Sequence, residues 1–263
     1  MPNYTQSPIL RDICSDKVST GPRQITIKIN SICNLKCEFC SAQSSLINNN
    51  PSRNIMPLSL IKKIIEDAIE LSSIKSITIS AEGETSLHPG ILQMIDFIKK
   101  KGLFLQINSN LTFDKDLLRL GFAKADKFLV NMCAHDENVY SKQCHPSSNK
   151  AFRNLIDNLK LFSALHRVRG KPEIELNCVV TRYNYSYLKA MIEFADSLNI
   201  SRLRFVALGP APETTKLLVS ENKFNEFKEF IKNNSCKYKV KMRVTEYIGA
   251  KANNTPQLNS CFS

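Results

Sequence analysis

Three cysteines, Cys33, Cys37 and Cys40, stand at C-x₃-C-x₂-C spacing in the stretch Ser31-Ile32-Cys33-Asn34-Leu35-Lys36-Cys37-Glu38-Phe39-Cys40. Thiolates are the usual protein ligands of iron–sulfur clusters. Three this close together hold three corners of a four-iron cluster and leave the fourth iron an open position. The competing reading is a zinc site completed by Cys133, His135 or Cys144. Zinc sites usually show two paired C-x₂-C or histidine units, whereas this triplet stands alone.

Further segments with chemical potential each follow an apolar run. Ala81-Glu82-Gly83-Glu84-Thr85-Ser86-Leu87-His88-Pro89 offers carboxylates and carbonyls, the acceptors an ammonium group needs. Asn108-Ser109-Asn110 offers amides that bond hydroxyls in both directions. Cys133-Ala134-His135-Asp136 and Thr181-Arg182-Tyr183-Asn184 complete the set, with Gly209-Pro210 after the sixth apolar run. Cys133 is a candidate for radical or proton transfer, and Cys178 reads as a small core residue. Cys14, Cys144, His135 and His145 carry no assigned role.

The elements that must position these residues follow from hydrophobic periodicity. Strands are expected at 24–30, 76–80, 103–109, 127–132, 173–180 and 202–208, with a last one at 237–244. Helices are expected at 58–72, 90–101, 114–120, 150–167, 186–198 and 221–233. This βα alternation predicts an α/β fold with an open parallel sheet and outer helices. Six βα units are too few for a closed eight-stranded barrel and suit a partial (β/α)6 TIM-like barrel. Every segment named above falls at the C-terminal end of a strand, where such barrels build their sites. Several strands alternate an apolar with a polar side, so Lys28, Gln106, Glu175, Asn177 and Arg204 are expected to line a polar cavity. Residues 1–248 read as one domain and 249–263 as a C-terminal tail that could begin a truncated extension.

On the cysteine triplet, the chain resembles the radical S-adenosylmethionine (SAM) superfamily. Gly83 and Glu84 match the second glycine and the glutamate of that family's Gly-Gly-Glu-Pro stretch; Glu82 and Thr85 replace its first glycine and its proline. The resemblance implies a [4Fe–4S] cluster held by Cys33, Cys37 and Cys40, with SAM chelated at the open iron. Gly83 and Glu84 would receive the methionyl amine, Asn108 and Asn110 the ribose, and Arg182 the SAM carboxylate. Phe39, the aromatic before the third cysteine, would pack near the adenine or shield the cluster. The implied activity is reductive cleavage of SAM to a 5′-deoxyadenosyl radical that abstracts hydrogen from a substrate. The organisation is most similar to the SPASM/twitch-like group, whose C-terminal auxiliary-cluster extension would begin near Cys261 and is here absent or truncated. The implied partners are a peptide or small-molecule substrate and a one-electron donor such as flavodoxin or ferredoxin. RNA modification and a non-catalytic iron–sulfur protein for electron transfer or partner binding are the alternatives.

Composition bounds these readings. The 263 residues suffice for a sizeable core. The nine cysteines are an odd number in a long chain with no apolar segment at its start, which fits metal ligation and free thiols better than disulfides. No run of 18 apolar residues predicts a membrane span, and a cytoplasmic location is the expectation. The net charge of +12 fits solubility or an acidic partner. Nucleic acid is not favoured, since no compact basic block interleaves with aromatics.

Overall fold

The structure is a computed structural model and describes residues 21–45, 53–70, 73–209 and 211–245. Its strands are β1 (Gln24–Lys28), β2 (Ser76–Ser80), β3 (Phe104–Ser109), β4 (Lys127–Asn131), β5 (Glu173–Val180), β6 (Arg202–Ala207) and β7 (Lys241–Thr245). They form one open parallel sheet in chain order. The helices are α1 (Leu58–Glu70), α2 (Ile91–Lys100), α3 (Asp116–Phe122), α4 (Glu137–Cys144), α5 (Ala151–Arg169), α6 (Leu188–Ser197) and α7 (Glu221–Asn234). The α/β class and open parallel sheet match the sequence expectation, and β7 extends the sheet beyond six strands. By chain contacts two compact units form, and β5 passes from one to the other after Glu175.

The first unit contains the described residues of Met1–Leu35, Asn50–Asn131 and Pro146–Glu175. Parallel register places Ile27, Ile79, Ile107 and Phe128 in one row across β1 to β4. All four are buried with Ile61 and Ile65 of α1, Met94, Ile95 and Ile98 of α2, and Leu155 and Leu159 of α5. Phe113, Phe122, Phe128 and Phe162 form a chain of ring contacts at 4.7, 6.0 and 4.8 Å through this core. The helices end as their sequences dictate: Lys99 and Lys100 sit at the negative end of α2, and Gly170 caps α5 at φ 69°. The opposite sheet face is polar, with Thr26, Thr78, Gln106 and Lys127 in one row and Lys28 beside Ser80 in the next.

The second unit contains the described residues of Lys36–Asn49, Met132–His145 and Leu176–Ser263. Leu203 and Phe205 of β6 are buried with Met191 and Ile192 of α6 and Phe227 of α7. Phe205 and Phe227 meet edge to face at 4.9 Å.

Two elements differ most from expectation. Helix α4 was not foreseen because its sequence, Glu-Asn-Val-Tyr-Ser-Lys-Gln-Cys, has little apolar periodicity. What starts it is the Asp136 side chain, which accepts the N–H groups of Asn138 and Val139 at 2.9 and 3.0 Å. The last strand begins at Lys241 instead of Lys237, since a 3₁₀ turn occupies Ser235–Lys237 and the Asp196 carboxylate takes the backbone N–H groups of Lys239 and Val240. Cys14, Cys261 and the 249–263 tail lie outside the described residues.

Candidate functional site

In the first unit the backbone pairing of β1 with β2 continues past both strands. Ile29 donates its N–H to the Ser80 carbonyl, Glu82 to Asn30 (both 3.0 Å) and Glu84 to Ile32 at 2.7 Å. The Glu82–Glu84 segment is thereby tied to the residue preceding Cys33. The approach is so close that a Cβ on Gly83 would lie 1.9 Å from the Ile32 oxygen. Only glycine permits it. Asn30 locks the same corner, accepting the Ile32 N–H at 2.9 Å and donating to the Glu84 carbonyl at 3.1 Å. The Cys33 sulfur accepts the N–H of Leu35 at 3.4 Å.

Glu84 is fully buried beneath this corner. One carboxylate oxygen accepts the Ser109 hydroxyl at 2.6 Å and the Ser86 N–H at 3.0 Å, and the other accepts the Asn110 N–H at 2.7 Å. Burial pushes its pKa up, and these donors pull against that shift. Asn110 is also buried, its amide donating to Asn34 at 2.9 Å and accepting the Thr112 N–H and hydroxyl at 3.1 and 2.8 Å. Asn34 lies inside the cysteine motif and donates in turn to Thr112 at 2.7 Å. Asn108 is half-buried; it accepts from Gln106 at 3.0 Å and donates to Ser80 at 3.3 Å.

Helix α5 supports the turn that carries Asn110. Asn158 donates to the carbonyls of Leu111 and Phe113 at 2.8 and 2.7 Å, and Asn154 donates to Thr112 at 3.1 Å. The turn needs the support, since Leu111 adopts a left-handed φ of 52°. These asparagines were not picked out from the sequence. The available signal was their i, i+4 spacing on a helix face that is otherwise apolar.

In the second unit the loop bearing Cys37 and Cys40 is tied to the end of α4. Lys36 donates its N–H to the Cys144 carbonyl and Glu38 to that of Gln143, both at 2.9 Å. His145 and Glu38 side chains meet at 3.1 Å. Burial raises the Cys40 thiol pKa, while backbone N–H bonds from Ala42 and Gln43 to its sulfur lower it. Cys144 and Cys133 place their sulfurs 3.2 Å apart, both buried. Phe39 is half-buried. Arg182 is exposed, with its guanidinium 5.1 Å over the Tyr183 ring. Asn184 braces the same turn, donating to the carbonyls of Cys133 and Val179 at 2.7 and 2.8 Å.

Cys33 thus lies in the first unit with Gly83, Glu84, Asn108 and Asn110, while Cys37, Phe39, Cys40 and Arg182 lie in the second. None of the seven described cysteines is in a disulfide. Among the described residues no three His, Cys, Asp or Glu side chains are grouped as a single metal ion would need. Part-exposed thiols whose sulfurs accept N–H bonds, as those of Cys33 and Cys40 do, are a donor set suited to an iron–sulfur cluster.

The family model described as the radical SAM superfamily matches residues 27–195. The "tungsten-containing aldehyde ferredoxin oxidoreductase cofactor-modifying protein" of Pyrococcus furiosus is 26% identical over 204 residues, 75% of this chain and 55% of that protein. Among solved structures, Streptococcus suis SuiB bound to S-adenosylmethionine superposes with a TM-score of 0.69 at 17% identity, covering 90% of this chain and 53% of SuiB. SuiB bound to precursor peptide SuiA gives the same TM-score at 16% identity, covering 90% and 52%. His-tagged anSMEcpe with bound AdoMet gives 0.66 at 16% identity, covering 84% and 61%. The chain spans about half the length of the first of these relatives. Identities this low to the solved structures establish a shared fold.

Proposed function

The chain belongs to the radical SAM superfamily, enzymes that use a [4Fe–4S] cluster and S-adenosylmethionine, and from that premise we propose that it cleaves SAM reductively to modify a peptide. When bound, the reduced cluster would supply one electron to SAM, and cleavage of the sulfonium C–S bond would give methionine and a 5′-deoxyadenosyl radical able to take a hydrogen atom from substrate.

Cys33, Cys37 and Cys40 would hold the cluster as thiolates. The N–H groups of Leu35, Ala42 and Gln43 stabilise the charge on two of those sulfurs. The observation that carries the reading is the close tie between Gly83-Glu84 and Ile32, which fixes the second motif against the entry to the first. Three protein donors fill most of the roughly four acceptor positions of Glu84, so its main task is to hold the 82–84 backbone, whose exposed polar groups with Glu82 receive the methionyl ammonium. Asn108 is the ribose ligand. Asn110, its amide engaged by Asn34 and Thr112, shapes the motif loop instead. Phe39 shields the adenine or the cluster, and Arg182 takes the SAM carboxylate.

The peptide substrate class is supported by the SPASM/twitch-like resemblance and by SuiB, a fold relative seen with a precursor peptide. In the first unit the polar pairs Lys28 with Glu82 at 3.2 Å and Lys127 with Glu175 at 2.7 Å suit a polar substrate. The electron donor is of the flavodoxin or ferredoxin class. No helix among the described residues is long and apolar enough to cross a membrane.

The test is anaerobic reconstitution with iron and sulfide, reduction by dithionite and addition of SAM. Release of 5′-deoxyadenosine, read by mass spectrometry and lost in Cys37→Ala, is expected. A reducible cluster whose EPR signal ignores SAM, with no cleavage, would overturn the reading in favour of a non-catalytic iron–sulfur protein.

A further inference from the structure

Cys37 is flanked on both sides by bonds to a single outside element. The N–H groups of Lys36 and Glu38 go to the carbonyls of Cys144 and Gln143, so the last turn of α4 grips the chain immediately before and after Cys37. The same turn also contributes a side chain, the Cys144 thiol, which neighbours Cys37 and lies 3.2 Å from the Cys133 sulfur. Cys33 and Cys40 differ here, with backbone N–H groups from Leu35, Ala42 and Gln43 at their sulfurs.

We infer that Cys144 is a positioning residue for the cluster, its thiol donating a hydrogen bond to the sulfur of Cys37. The inference rests on the assignment of Cys37 as an iron ligand. A thiol has one proton to give and a weakly accepting sulfur. Cys133, 3.2 Å behind Cys144, can direct its own S–H onto the Cys144 sulfur, which leaves the Cys144 proton for Cys37. The relay reads Cys133 to Cys144 to Cys37, ending on the strongest acceptor, a metal-bound thiolate. Cys144 is 3% exposed and Cys133 4%, so little water competes for these sulfurs. Cys133 is fixed in turn through its carbonyl by Asn184 at 2.7 Å.

Hydrogen bonds to cluster sulfurs help set the reduction potential. A donor offsets the negative charge added on reduction, so losing it makes the cluster harder to reduce. The experiment is an EPR-monitored redox titration of the reconstituted full chain without SAM or substrate, with iron and sulfide content measured on each sample. In Cys144→Ala the ratio of reduced to oxidised cluster at a fixed solution potential should fall about threefold to tenfold at full iron content. Cys144→Ser, with a stronger O–H donor, should return to the parent's potential or exceed it. Cys133→Ala should shift in the same direction as Cys144→Ala by less. An unchanged potential in Cys144→Ala, or a serine variant that follows the alanine one, overturns the inference. If the alanine variant takes up no iron, the serine variant decides, and a potential below the parent's counts against the inference. Loss of the cluster from both also overturns it, because a hydrogen-bond donor is not needed to hold iron. Failure of the underlying assignment looks different: Cys37→Ala would then keep its cluster.

Discussion

Gly83 and Glu84 are adjacent and fail in different ways when altered. In Gly83→Ala the new methyl would meet the Ile32 backbone at 1.9 Å, and a backbone atom cannot swing aside as a side-chain tip can. The segments must part, breaking the Glu82 to Asn30 and Glu84 to Ile32 bonds. The expected cost is about 3 kcal/mol or more, seen as a lower urea midpoint, together with poor iron uptake on reconstitution. Glu84 acts through its proton. Its pKa is raised by burial above the ordinary 4.5, so the folded chain holds that proton more tightly than the unfolded chain. Its stabilising contribution is therefore complete below about pH 4.5 and is lost as pH rises through the raised value. Urea unfolding of the parent from pH 4.5 to 8 should contain this falling component, and Glu84→Gln should lack it. An identical pH profile for the two would refute the assignment. Glycine and glutamate were legible in the sequence because their types and order match a known stretch. Asn30 was not, because its work is to bond two backbone groups 2 and 54 residues away along the chain.

Among the elements, α5 shows how a helix chosen for its apolar face also builds a site. Asn158 is fully buried, donating to two carbonyls and accepting the Arg119 guanidinium N–H at 2.8 Å. Asn158→Ala would strand those groups in the core. An unsatisfied buried polar group costs about 1–3 kcal/mol, so a loss of about 2–4 kcal/mol in chemical denaturation is expected. Asn154→Ala, at a half-buried position with one such bond, should cost about 1 kcal/mol. Equal effects would show that the carbonyl network is not what matters. The strands with clean two-residue alternation were legible, Ser76–Ser80 and Glu173–Val180 to the residue. So were helices with apolar residues at three- and four-residue spacing. Helix α4 escaped because its stability comes from a cap and from what its end grips, and neither leaves a periodic trace. For the same reason the sequence assigns Cys144 no role beside Cys37, its neighbour more than 100 residues earlier in the chain.

At the scale of the whole molecule two electrostatic terms act on stability, and salt separates them. The net charge of +12 makes the folded chain repel itself, and raising ionic strength from about 0.02 to 0.2 M shortens the reach of that repulsion. The thermal midpoint of the iron-free protein should therefore rise with salt. Metal binding adds a term of another kind. A site that exists only in the folded chain converts its binding energy into folding energy, so chelating the iron should lower the midpoint. Thiolate–iron bonds are short-ranged, and the gap between loaded and chelated protein should persist at 0.2 M salt. Differential scanning calorimetry under anaerobic conditions, at both salt concentrations and with and without chelator, gives the four midpoints needed. Cys37→Ala should respond to salt like the parent and be indifferent to chelator. If the gap closes in 0.2 M salt, the metal contributes by neutralising surface charge and the three cysteines are not its ligands. If the variant keeps the gap, iron is held elsewhere in the chain.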